Sequence, residues 1–268
     1  MHRSPRRGAG VEFGGYREYV AGDDLRWLDR RSLLRHERLV IRQFETETDR
    51  TLCFLVDATA SMAFRGSDAP GAKLAFASLV AAALSRVALD GGDPVSVTFL
   101  GGERGAPVAR SSGREQFDRV VAALEAAEPG GDAHFDRAMI DRALHALARA
   151  SRRGAIVVVL SDLLDLPDDV ADRVAAIAST GRVLVVVQIL DPAEVDFPFS
   201  GTVRLRALEG GTVVETDADS TRGSYLEALA RLTGTWQDAV VRRGGRFLRA
   251  RTTDDPVDVV RFIVQSLR

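Results

Sequence analysis

The run Ala155-Ile156-Val157-Val158-Val159-Leu160 constrains the fold more than any other stretch of this chain. Its β-branched residues offer no polar face, so a strand made from them must be covered on both sides, as central strands of parallel sheets are. The run ends in Ser161-Asp162. An earlier apolar run, Leu52-Cys53-Phe54-Leu55-Val56, ends in Asp57 and reads as a strand of the same kind.

Strand and helix patterns alternate between and beyond these runs, which predicts a mainly parallel, doubly wound α/β sheet with helices on both faces. A helix is expected over about 72–89, then a strand at Pro94–Leu100 and a short antiparallel edge from Ala106 to Ala109. Helical spacing resumes in Glu115–Ala126, where Phe117, Val120, Val121 and Leu124 share a face. A second helix is expected over Phe135–Arg149, and another opens at Pro167-Asp168-Asp169 before a strand at Val183–Ile189. Thr202–Leu208 and Thr212–Thr216 flank Glu209-Gly210-Gly211 and read as a hairpin. A helix at Tyr225–Arg242, a strand at Arg246–Thr252 and a helix begun by Asp254-Asp255-Pro256 complete a C-terminal hairpin/helix extension. Residues 1–50 are charged, glycine-bearing and weakly periodic, and are read as a leader that docks on a body spanning 51–268.

Hydrophobic content of 46% supports a sizeable core, and a net charge of -2 from 36 basic and 38 acidic side chains gives no bulk attraction for nucleic acid or membrane surfaces. No apolar run reaches the roughly 18 residues of a bilayer span, and no signal-peptide core succeeds Met1-His2-Arg3-Ser4-Pro5, so the expected compartment is the cytoplasm. The single cysteine, Cys53, sits within a strand and reads as a buried structural thiol. Lys73 is the only lysine, and its place near a helix start reads as a surface charge.

The turn after the first strand carries the chemistry. Asp57, Thr59 and Ser61 form a D-x-T-x-S pattern among small residues, where ligands of open α/β sheets collect at strand carboxyl ends. A carboxylate and two hydroxyls are hard oxygen donors suited to Mg²⁺, Mn²⁺ or Ca²⁺. The same residues also serve simply to turn and cap a chain.

The stretches Gly14–Asp29, Glu45-Thr46-Glu47, Val56–Met62, Ser161-Asp162 and Gln188–Glu194 resemble, in order, the domain-of-unknown-function family 58, which is related to von Willebrand factor A domains. The resemblance implies a Rossmann-like A-domain fold in which D-x-T-x-S is the first loop of a metal-ion-dependent adhesion site. Asp57 and Ser61 match the family's D-x-S-x-S, Thr59 keeps the hydroxyl, and Asp162 stands at the third-loop position. In the second loop the common Gly-Gly-Thr-Asp-Leu is replaced by Gly130-Gly131-Asp132-Ala133-His134. Asp132 is read either as an extra metal carboxylate, which would offset the cation's charge, or as the cap of the helix beginning near Phe135. In the leader, Leu28-Asp29-Arg30 replaces Ile-Asp-Trp, while the signature charges Arg17, Asp23, Asp24, Arg26 and Asp29 remain and read as an ion-pair network tying leader to body.

The resemblance implies a non-enzymatic binding module that offers a metal to an acidic residue of a client, beside a MoxR-type AAA+ ATPase, in a chaperone-like or assembly role. The chain has no G-x-x-x-x-G-K-[ST] loop and is not expected to hydrolyse nucleotide. Two alternatives stay open. One is a metal-dependent hydrolase, for which His134, in the second ligand loop, could serve as the base. The other is a scaffold whose degenerate site binds no metal.

Overall fold

Along β3 (Leu52–Asp57), alternate residues enter two different cores, and this period-two division organises the main body. Leu52, Phe54 and Val56 face one side with Val158 and Leu160, while Cys53 and Leu55 face the other with Val157 and Val159. A computed structural model of the protein describes residues 7–20, 28–29, 39–45, 50–134, 136–164, 166–206 and 213–267. It divides into two compact units, Met1–Asp49 and Arg50–Arg268.

The smaller unit contains β1 (Arg7–Glu18) and β2 (Val40–Glu45), an irregular antiparallel pair in which Arg17 sits opposite Ile41. Asp29 joins this unit through its backbone N–H, which donates to the Val40 carbonyl at 2.9 Å. Asp23, Asp24 and Arg26 lie outside the described residues, as does most of the Glu45-Thr46-Glu47 motif.

The larger unit carries a six-stranded sheet in the order β10-β7-β6-β3-β4-β5. Its strands are β3, β4 (Val95–Leu100), β5 (Val108–Ser111), β6 (Ile156–Ser161), β7 (Val183–Leu190) and β10 (Arg246–Arg251). All neighbours run parallel except β5, which pairs antiparallel with β4 as the expected edge. One face is covered by α1 (Lys73–Asp90), α2 (Arg114–Ala126) and α7 (Pro256–Ser266), through residues such as Phe76, Val80, Leu84, Val120, Leu124 and Ile263. The other is covered by α3 (Arg137–Ala150), α4 (Asp168–Ala175) and α6 (Ala218–Arg242), through Ile140, Leu147, Val170, Val174, Trp236 and Val240. The expected doubly wound, A-domain-like α/β architecture is therefore present. The hairpin is β8 (Thr202–Arg206) with β9 (Val213–Asp217), and α5 (Pro192–Asp196) is a short helix after β7.

Local chemistry explains several boundaries. α3 starts later than its apolar spacing suggested, because the Asp136 carboxylate accepts the Met139 N–H and caps it. On α2 the buried positions are Gln116, Val120 and Leu124, with Phe117 and Val121 only half-buried. Gln116 is drawn inward because its Nε2 donates to the carbonyls of Val95 and Ala109, at 2.9 and 2.8 Å, at the irregular edge pairing. Cys53 is fully buried and burial pushes its thiol pKa up, as suits a structural residue. Among the described residues no helix is long and apolar enough to cross a membrane.

Leu160 is fully buried on the central strand, so Leu160→Ala is expected to cost about 2–5 kcal/mol, read as a lowered urea midpoint with an unchanged slope.

Candidate functional site

Strand order reverses at β3: the chain passes from β3 outward through β4 and β5, then returns to β6 on the opposite side and continues outward to β7 and β10. The carboxyl ends of β3 and β6 therefore flank the topological switch point, where α/β sheets open a crevice. Asp57 ends one strand and Ser161-Asp162 end the other, which brings the first- and third-loop residues together.

Asp57 is buried and fully engaged. Its Oδ1 accepts the Thr59 N–H at 2.9 Å and the Thr59 hydroxyl at 2.8 Å, while its Oδ2 accepts the Ser161 hydroxyl at 2.5 Å. Thr59 Oγ1 lies 3.1 Å from Ser61 Oγ, so the three D-x-T-x-S side chains form one continuous hydrogen-bonded chain. Their floor is apolar: a small cavity of about 10 Å³ beside Asp57 is lined by Leu55, Leu100, Val159, Leu163 and Trp236. Burial first, and the nearby charge of Asp162 second, raise the Asp57 pKa from 3.8 to about 6 despite the hydroxyl and amide donors.

The second loop is bonded to the first through backbone groups. Gly130 N–H donates to the Ala58 carbonyl at 2.8 Å, and Ala60 N–H donates to the Gly131 carbonyl at 3.1 Å. Gly102 N–H adds a bond to the Gly130 carbonyl at 2.8 Å. This packing needs glycine at 102, where φ is +83° and a Cβ would stand 2.7 Å from the Ala58 Cβ. Asp132 does not cap the following helix, since Asp136 does. Instead the Asp132 Oδ1 accepts the His134 N–H at 3.0 Å and shapes its own loop. His134 is exposed.

Lys73 is not a surface charge. It is completely buried at the start of α1, with Nζ 2.6 Å from Asp162 Oδ2 and 2.5 Å from Glu194 Oε1. A cation in the first turn opposes the helix dipole, so its place there depends on these two carboxylates. Burial alone would lower the Lys73 pKa, but Asp162 and Glu194 outweigh that effect and raise it. Glu194 is itself raised by burial, although Lys73 and the Asp191 N–H pull the other way. The second Asp162 oxygen accepts the Leu164 N–H at 2.9 Å, and its carbonyl accepts Gln188 Nε2 at 3.3 Å. Tyr225 lies close enough for its phenol to be pushed up to about 12, by burial and then by the charges of Glu194 and Asp162.

The segment Gln188–Glu194 therefore has a structural role that its sequence did not disclose. Asp191 caps α5 in a capping box with Glu194, and its Oδ2 accepts the Gly66 N–H at 2.9 Å and the Thr252 hydroxyl at 3.3 Å. It thereby holds the loop between β3 and α1 against the ends of β7 and β10. Lys73, Ser161, Asp191 and Glu194 were not assigned site roles from sequence. The available signal was Lys73: one lysine among 36 basic residues, at a helix start where a cation is disfavoured.

Fold and strand-end cluster together define an A-domain-like α/β protein. The chain belongs to the family described as protein of unknown function DUF58, which it matches over residues 15–233. Uncharacterized protein Rv1480 of Mycobacterium tuberculosis is 29% identical over 266 residues, covering 97% of this chain and 81% of that protein. Among solved structures, the conserved hypothetical protein BatB from Bacteroides thetaiotaomicron aligns with a TM-score of 0.51 at 16% identity, over 81% of this chain and 96% of that one. An aerotolerance-related membrane protein from Bacteroides fragilis aligns with a TM-score of 0.51 at 17% identity, over 80% and 96% of the two chains. These structural likenesses are of fold.

Because the folded Asp57 pKa lies above its ordinary 3.8, the group stabilises the fold fully below about pH 4, and that contribution is lost as pH rises to about 6. In metal-free buffer the stability to urea should therefore fall between about pH 4 and pH 6, and Asp57→Asn should flatten this part of the stability-pH curve. Gly102→Ala is expected to cost roughly 1–3 kcal/mol in urea unfolding, from its left-handed backbone and the contact with Ala58.

Proposed function

We propose that this chain is a protein-interaction module whose binding depends on a divalent metal, Mg²⁺ or else Mn²⁺ or Ca²⁺. The observation that carries the reading is the buried chain Asp57–Thr59–Ser61 at the switch point, with Asp162 near enough to raise the Asp57 pKa. Hard oxygen donors in a desolvated site, with two carboxylates repelling each other, are stabilised by a cation. Among the described residues no three Asp, Glu, His or Cys side chains converge as metal ligands, so hydroxyls would supply much of the coordination. We assign the ligands as Asp57, Thr59, Ser61 and Asp162. Asp132, already bonded to His134, serves loop shape in this reading. When bound, the metal would offer a position to a carboxylate of a client protein.

The remaining steps belong to the chain itself. Thr59 and Ser161 orient Asp57 and hold its charge, the apolar floor excludes water, and the second loop fixes Thr59 through the backbone of 58–60. The partner we propose is a MoxR-type AAA+ ATPase in the cytoplasm, with this chain in a chaperone-like or assembly role rather than an enzymatic one. Family resemblance supports that partnership. A scaffold that binds no metal is the second reading, favoured by the ion pair that already occupies Asp162.

Several millimolar Mg²⁺ should raise the thermal midpoint of the wild type and leave Asp57→Ala unmoved, because a ligand of the folded state stabilises by mass action. Pull-down of the cognate ATPase should weaken with chelator or with Asp57→Ala. Undiminished, metal-independent capture would remove the adhesion-site mechanism.

A further inference from the structure

We infer that Lys73 is an internal competitor for Asp162, which exchanges between the lysine and a divalent metal, with Glu194 holding the ammonium while Asp162 is released. The inference rests on the metal-binding reading above, and concerns what sets the affinity of that site.

Three elements converge on one buried ammonium. Lys73 arrives from the first turn of α1, Asp162 from the end of β6 and Glu194 from α5. Asp162 Oδ2 is 2.6 Å from Nζ, while its Oδ1 accepts the Leu164 N–H, so the carboxylate is committed on both oxygens. Among the described residues, Asp162 is the one proposed ligand held by a cation; Asp57, Thr59 and Ser61 bond among themselves and to Ser161. A divalent ion beside Asp57 must therefore either do without Asp162 or take it from Lys73. A buried ammonium without any carboxylate would be costly, and this is where Glu194 matters. Its Oε1 is 2.5 Å from Nζ, and its Oε2 accepts the Asp191 N–H at 2.8 Å, which anchors it to the capped helix. Lysine suits the exchange better than arginine, because its compact head has three donors that reorient on a flexible stem and no planar fork to misalign. Lysine at this one position in a chain otherwise served by arginine fits that demand.

The device makes opposite predictions for its two arms. Lys73→Met frees Asp162 and removes a repelling charge, so the Mn²⁺ dissociation constant of the full chain should fall about tenfold or more, the scale on which groups behind metal ligands act. Glu194→Gln leaves Asp162 as the only acid on Lys73, and the constant should rise. Binding is read by titration calorimetry and by the electron paramagnetic resonance signal of free Mn²⁺, with folding checked by circular dichroism. Because Lys73→Met leaves Asp162 and the largely buried Glu194 without their balancing cation, Lys73→Met/Glu194→Gln is the companion variant, and it too should bind more tightly than wild type. If the lysine variants bind Mn²⁺ and the wild type does not, the competition is supported and the metal-dependent reading of the wild type fails. Equal constants in all variants would overturn the competition and leave that reading intact. Binding by none of them would overturn both.

Discussion

Two-sided burial of β3 and β6 is the constraint on which the rest of this structure depends. Each strand puts alternate side chains into separate cores, so neither face can receive water, and the polar groups beyond the last apolar residue gather, still buried, at the carboxyl ends of the two strands. Strand order reverses at this pair, which is where α/β sheets place their ligand crevices. A carboxylate in that position must find its partners within the protein. Asp57 does so with Thr59 and Ser161, and Asp162 does so with Lys73, Leu164 and the neighbouring acid network.

That requirement accounts for the polar wiring of the site. The buried side-chain atoms without a partner among the described residues, Ser96 Oγ and Gln116 Oε1, belong to other parts of the sheet and helix layer. Near the crevice the bonds continue from element to element: Gly66 to Asp191, Asp191 to Glu194, Glu194 to Lys73, Lys73 to Asp162. Such a network resists piecemeal change, because removing one member leaves another buried and unpaired.

Much of the fold was legible from residue patterns, for a physical reason. Apolar runs without a polar face, such as Ile156–Leu160, have few environments open to them, and helix starts such as Asp255-Pro256 carry their caps in sequence. That Asp57, Thr59 and Ser61 share one turn was legible too, while the hydrogen bonds from Thr59 to Asp57 came only with the structure. Gln116 and Asp136 were less so: each position was settled by which backbone group lacked a partner, Val95 and Ala109 in one case and the Met139 N–H in the other.

Sequence by itself determined the class of sheet, the order of its elements and the first polar loop, because period-two burial and short-range turn chemistry are local properties. Tertiary structure alone decided what surrounds the site. Lys73 and Asp162 are separated by 89 residues, and Lys73 and Glu194 by 121. Spacing along the chain says nothing about whether three such charges meet. They meet because parallel crossovers return the chain to the same end of the sheet, where little solvent reaches and the ammonium finds its balancing charge in the two carboxylates.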